Sequence, residues 1–374
     1  MKKLTNILVI ILVTIMALSI NVQAAQKQPE FPNALKRGGF VVSGDYDGNY
    51  FVPKSKYNPD DLATYSFTSK TTFEGNESAA KKILDNAKNP GLGVRGLHKQ
   101  GFTGKGVSIA YIGVGIPGGN PTNFTHLEFR DGMIKEYVSF GTRHRRLGGD
   151  TYTQVSALTG KTVGTAPDVN LYYIGVGSTG DDWKGNFIKG IDWVIEKNKT
   201  LPKAERIRII VADSSMCNRI MNPGYVEPYL QKLYPEAIER AEKAGIIFMG
   251  GYASGYITEI KSGLHAARGH YDAGNPDDVN KAKRWNPGET DWGKGPRYVH
   301  AATSRRTLAW GDNSYVYDFA DQPQYAYLAG IIAMGYQANP DISRAQITAL
   351  LLDTRTNQNV VNPPEFIETV KKAK

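Results

Sequence analysis

The chain has 374 residues, 45 lysines and arginines against 36 aspartates and glutamates, a net charge of +9, and a single cysteine, Cys217. One cysteine excludes an internal disulfide, so the fold must rest on its core. At this length the chain can bury one, as a single large α/β domain or as two smaller units.

Lys2 and Lys3 precede an apolar run from Leu4 to about Ile20 and the pattern Val22, Gln23, Ala24, which reads as a secretory signal peptide cleaved after Ala24. An uncleaved anchor is the competing reading, because the run approaches the length needed to span a bilayer. A lipid anchor would need a cysteine at the cleavage point, and Cys217 is far downstream. Loss of Lys2 and Lys3 leaves +7, a basic surface suited to an anionic cell envelope. The expected location is secreted or in the envelope, with no membrane association after cleavage and no nucleic acid partner.

Residues 25–90 are polar and turn-rich, with one helix expected near Ser78 to Ala87, and read as an extension packing on a domain of residues 91–374. No repeat or low-complexity tract is present. From Gly91 onward apolar strands alternate with helices, the pattern of a parallel sheet covered on both faces. Strands are expected at Val107 to Ile112, Val169 to Val176, Ile209 to Ala212 and Ile246 to Met249. Between them, Trp183 to Asn198 places Phe187, Ile188, Ile191, Val194 and Ile195 on one helical face. Pro235 is read as opening a helix that Gly245 ends. An apolar helix follows at Ala326 to Tyr336, and a last one starts near Ser343 with Ile347, Leu350 and Leu351 inward.

Several motifs fail on context. Gly113, Gly115 and Gly118 match GxGxxG after a strand, but Gly119, Asn120 and Pro121 continue as loop where a helix must receive pyrophosphate. Gly175, Gly177 and Gly180 match again, yet Asp181 and Asp182 would repel a phosphate. His265, His270 and Asp272 lack ligand spacing and read as surface loop, and His98, His126, His144 and His300 are scattered. Asp45, Asp47 and Asn49 lack the later glutamate of a calcium loop.

A resemblance accounts for what remains. The stretch Gly101 to Ile116 resembles the subtilase strand motif GxTGxGVxVAVIDxGI, and Asn123 to Phe129 is similar to the HPxF segment that follows it. Val163 to Pro167 resembles GVAP, and Phe187 to Asn198 resembles the helix between the next strands. Gly245 to Met249 resembles the strand leading to the oxyanion asparagine. Tyr327 to Gly330, Asn339, Pro340 and Ile347 to Thr354 resemble the helix pair after the nucleophile. The matches run in order over about 285 residues. They imply a three-layer α/β fold of the subtilisin-like serine peptidases, with a mostly parallel central sheet and helices on both faces.

The same alignment implies that the catalytic groups are absent. The aspartate position carries Gly113, the histidine position Thr151 and the serine position Gln322. A threonine hydroxyl is too weak a base near neutral pH, and a carboxamide is no nucleophile. Ser254 aligns loosely with the oxyanion asparagine, and no GxSxG or SxxK motif supplies a replacement serine. Only Leu158 to Thr162 stands where many subtilases insert a calcium loop. Glu128 would offer a cation a single oxygen, a poor site, so no cofactor is expected and calcium stays an unsupported alternative. The substrate-strand region is altered at Ala212 to Met216, and the cleft at Pro323, Gln324 and Tyr325.

The resemblance therefore implies a pseudoprotease that binds a peptide, a protease or another envelope protein, its 21 tyrosines in the chain suiting a binding surface. An active hydrolase with relocated groups, drawn for example from His126 or His300, and a structural envelope protein held by charge are the alternatives. Active subtilases commonly remove an N-terminal propeptide by self-cleavage. This chain lacks the usual means, so residues 25–90 are expected to stay attached.

Overall fold

A computed structural model of the chain describes residues 50–114, 124–141, 149–177, 183–213, 228–250, 264–272, 274–284, 298–304, 306–310, 313–317 and 323–374. The signal-peptide segment, the Asp45 turn, His144, Cys217, Ser254 and Gln322 lie outside them.

The described chain opens with strands β1 (Tyr50–Val52), β2 (Phe67–Thr68) and β3 (Thr71–Phe73), then helices α1 (Glu77–Ala87) and α2 (Val94–Lys99). The central elements are β4 (Ser108–Gly113), β5 (Ile134–Ser139), α3 (Gly149–Thr159), β6 (Asn170–Gly175), α4 (Trp183–Thr200), β7 (Ile207–Ala212), α5 (Pro228–Lys243) and β8 (Ile247–Met249). Then follow β9 (His265–His270), β10 (Lys283–Arg284), β11 (Tyr298–Ala301), β12 (Thr307–Trp310) and β13 (Ser314–Tyr317). Helices α6 (Gln324–Ala338), α7 (Arg344–Asp353) and α8 (Pro363–Lys372) close the chain.

Five of these strands form one parallel sheet in the order β5-β6-β4-β7-β8. Side chains alternate across a strand, and here the alternation divides two cores. Ile109, Tyr111, Leu171, Tyr173, Ile209, Val211, Ile247 and Met249 join the core under α3, α6, α7 and α8. Ala110, Ile112, Tyr172, Ile174, Ile210, Ala212 and Phe248 join the core under α4 and α5. Both faces are covered, which is why these strands read as unbroken apolar runs rather than polar alternations. Each fully buried side chain of this size contributes about 1.5–3 kcal/mol.

The chain leaves β4 for β5 and β6 on one side, then crosses to β7 and β8 on the other. The carboxyl ends of β4 and β7 therefore form a topological switch, beyond which α/β folds place their ligands. Smaller sheets flank the body: β10-β9-β11, β12-β13-β2 and the pair β1-β3.

The α/β architecture, the central strands and the apolar helical face of α4 agree with the sequence reading, and Ser343 caps α7 through a capping box with Gln346. Two readings are corrected. Pro235 does not open α5, which starts at Pro228 and carries Pro235 inside. Packing overrides the break: Tyr234 is buried with its ring edge-on to Phe187 at 5.5 Å, and Ala237, Ile238 and Ala241 continue the buried stripe. His265 and His270 are not loop residues. They end β9, which is held between β10 and β11. Among the described residues no helix is long and apolar enough to cross a membrane.

Candidate functional site

At the switch, β4 and β6 end in register, with Gly113 opposite Gly175, and the Val176 N–H donates to the Gly113 carbonyl at 2.9 Å. On the other side, the Asp213 N–H donates to the Ile112 carbonyl at 2.8 Å, so the first residue after β7 lies against the end of β4. Thr151, in the first turn of α3, is buried. Gly113 and Thr151, two of the positions singled out by sequence, thus come to one place. Gln322 and Ser254 lie outside the described residues.

Tyr173 is what joins the two. Its hydroxyl donates to the Val114 carbonyl at 2.8 Å and shares a hydrogen bond with the Thr151 side chain. A Cβ built on Gly113 would stand 3.4 Å from that oxygen and 2.6 Å from Cε1 of Tyr111. A carbon that close to an aromatic carbon lies well inside contact distance, so no side chain fits at residue 113 unless the Tyr111 ring moves. Glycine here is a close-approach residue. The space a side chain would need is filled.

The electrostatics are those of a sealed floor. Burial pushes the Tyr173 phenol well above its ordinary pKa, and the negative charge of Asp213 pushes the same way. The hydroxyl therefore stays protonated, a hydrogen-bond donor and not a base. Asp213, itself buried, accepts from the Tyr111 hydroxyl at 3.1 Å. Around them the rings of Tyr137 and Phe124 stand 5.9 and 5.8 Å from Tyr173, and Phe124 continues to Tyr152 and Phe129 at 5.4 and 5.0 Å.

His126 and His300, the histidines proposed as substitutes, and the scattered His98 lie in other parts of the fold. His126 holds the Ser314 carbonyl through Nε2 at 2.9 Å, and its Nδ1 accepts from the Glu128 N–H at 3.0 Å. His98 bonds the Thr165 carbonyl at 2.9 Å, and burial lowers its pKa. His300 is buried on β11. Glu128 is held by protein donors. One carboxylate oxygen accepts from the N–H groups of Thr162 at 2.7 Å and Val163 at 3.3 Å, the other from the hydroxyls of Thr162 and Tyr315. Pro323 precedes α6, whose first residues Gln324 and Tyr325 are buried.

Sequence reading missed Tyr111, Tyr173 and the role of Asp213. A usable signal existed: residue 111 stands two before residue 113 on one strand and so shares its face.

No family model and no curated protein sequence matches the chain. Solved structures do. The subtilase cytotoxin SubAB assembly is similar at a TM-score of 0.52 and 14% identity, over 78% of this chain and 96% of that one. The fold is subtilisin-like. The PatG macrocyclase in complex with peptide is similar at a TM-score of 0.52 and 11% identity, over 75% of this chain and 96% of that one. At these identities the likeness to subtilisin-like proteins is one of fold.

Proposed function

We propose that the chain is an exported subtilisin-like protein without proteolytic activity, which binds a peptide, a protease or another envelope protein at or beside the crevice. The observation that carries this reading is the filled volume ahead of Gly113, where a general base's aspartate would stand. A carboxylate lost by substitution alone would leave a hole; aromatic groups in its place mark a crevice remade for another use. The hydroxyls, the buried acid and the aromatic rings supply what recognition needs, polar groups set in an apolar wall. The PatG macrocyclase holds peptide on this fold, which makes extended peptides the first ligands to test.

Export rests on the segment up to Ala24, and attraction to an anionic envelope on the charge of +7 left after its removal. Wall retention through charge alone would fall with added salt.

Asp213 favours a second reading, a hydrolase whose acid has moved one strand over. Fluorophosphonate labelling of the purified chain separates the two. Binding without catalysis predicts no labelled serine, and covalent modification of any serine overturns it. A pull-down from the secreted fraction, with extended peptides as competitors, tests the binding half.

A further inference from the structure

Residues 50–90 do not behave as an appendage. Strand β2 adds to the edge of β13, with Thr68 opposite Val316 and Phe67 opposite Tyr317, and the Ser69 N–H reaches the Tyr315 carbonyl at 2.8 Å. Phe67, Phe73, Tyr57, Leu62 and Leu84 form a core that includes Tyr317. The Tyr317 ring stands 5.1 Å from Phe67, and its hydroxyl donates to the Ala63 carbonyl at 2.8 Å.

The junction at residue 90 is the most tightly built part of the contact. The buried Arg306 guanidinium donates to the Asn89 carbonyl and lies 3.7 Å over the Tyr271 ring, while the Asn89 amide donates to Asp277 at 2.9 Å. Gly91 runs at φ +73°, and a Cβ there would collide with Nη2 of Arg306 and stand 2.6 Å from the Pro276 carbonyl oxygen. Leu92 is fully buried at φ 52°, a conformation that costs a branched side chain energy and persists only where packing holds it. A removable leader joins its domain through an exposed, loosely held link. This junction is threaded through the interior.

The N-terminal segment bonds to two separate elements of the body, β13 and α6. The Tyr317 hydroxyl, at the end of β13, donates to the Ala63 carbonyl, and the Tyr327 hydroxyl, in α6, donates to the Pro90 carbonyl at 2.8 Å. We propose that residues 50–90 are a permanent internal partner, docked on the β12–β13 hairpin, Arg306 and α6, which stays attached in the working protein. The proposal stands whether or not the crevice is catalytic.

The test uses the full chain. Intact mass of the protein from its producing cell should place the N-terminus before residue 50. A protease cut at the exposed turn of Gly75 should leave two pieces that co-elute on size exclusion and unfold in one transition. Tyr317→Phe and Tyr327→Phe keep the rings and each remove one hydroxyl. Each should speed amide exchange at residues 314–317 and 324–327 about tenfold, the factor expected for one buried hydrogen bond. A mature chain starting near residue 91, a nicked N-terminal piece that washes away with the transition unchanged, or unaltered exchange in both variants would overturn the proposal.

Discussion

Tyr111 and Tyr173 stand directly opposite each other on adjacent parallel strands, ring centroids 5.5 Å apart, and one aromatic pair closes the space ahead of Gly113 from two sides. The two hydroxyls make different bonds, Tyr111 to Asp213 and Tyr173 to the Val114 carbonyl. The pair therefore couples three strand ends, β4, β6 and β7, at the point where the fold places ligands.

The steric claim at Gly113 is measurable. Gly113→Ala should destabilise the fold by about 1–3 kcal/mol, the range for forcing an extra carbon into a packed interior. Combining it with Tyr111→Val, which opens the space the Cβ needs, should cost less than the sum of the two single changes. Urea denaturation of the four proteins gives the coupling. Strict additivity would show that the ring is not what excludes a side chain.

Restoring the triad by sequence should fail for the same reason. A chain carrying Gly113→Asp, Thr151→His and Gln322→Ser is expected to show no peptide hydrolysis and no fluorophosphonate labelling, because the aspartate would collide with Tyr111 before it could orient a histidine. Circular dichroism distinguishes a folded inactive variant from an unfolded one. Turnover by the folded variant would refute the argument.

The fold was legible because burial on both faces writes itself as apolar strands and because α4 carries a continuous stripe at Phe187, Ile191 and Val194. Gly113 and Thr151 could be singled out too, since each is a single position in an ordered motif. What packs against Gly113 could not, because Tyr111 reads as one more core residue until the register sets it opposite Tyr173. The contact between residues 50–90 and the β12–β13 hairpin was hidden for a related reason. It joins residues far apart in the chain, such as Tyr317 and Ala63, and local pattern carries no trace of such pairing. Pro235 misled because the packing of Tyr234 outweighs a broken helical hydrogen bond.

Acid stability should depend on His98. Burial lowers its pKa in the folded chain below the ordinary 6.5, so the unfolded state binds its proton more readily. The stabilisation is full above about pH 6.5 and is lost as pH falls toward the lower folded value. Denaturant midpoints of the wild type should therefore drop through this window. A His98→Gln variant, which keeps a donor for the Thr165 carbonyl, should show a shallower drop. Parallel curves for the two proteins would assign the acid sensitivity to other groups.

Glu128 makes the final case, because its carboxylate is buried and accepts from four protein donors. The charge is thus compensated by hydrogen bonds. Glu128→Gln would turn an amide nitrogen toward donors that need an acceptor, leaving at least one buried group unmatched. The expected loss is about 2–3 kcal/mol, the range for a charge-assisted bond broken inside a fold. Because the wild-type oxygens are already engaged, calcium should not substitute for those donors. Thermal unfolding of the wild type should then give the same midpoint in calcium and in chelator, while Glu128→Gln melts lower in both. A midpoint that rises with calcium in the wild type and not in Glu128→Gln would show that the carboxylate serves a cation instead.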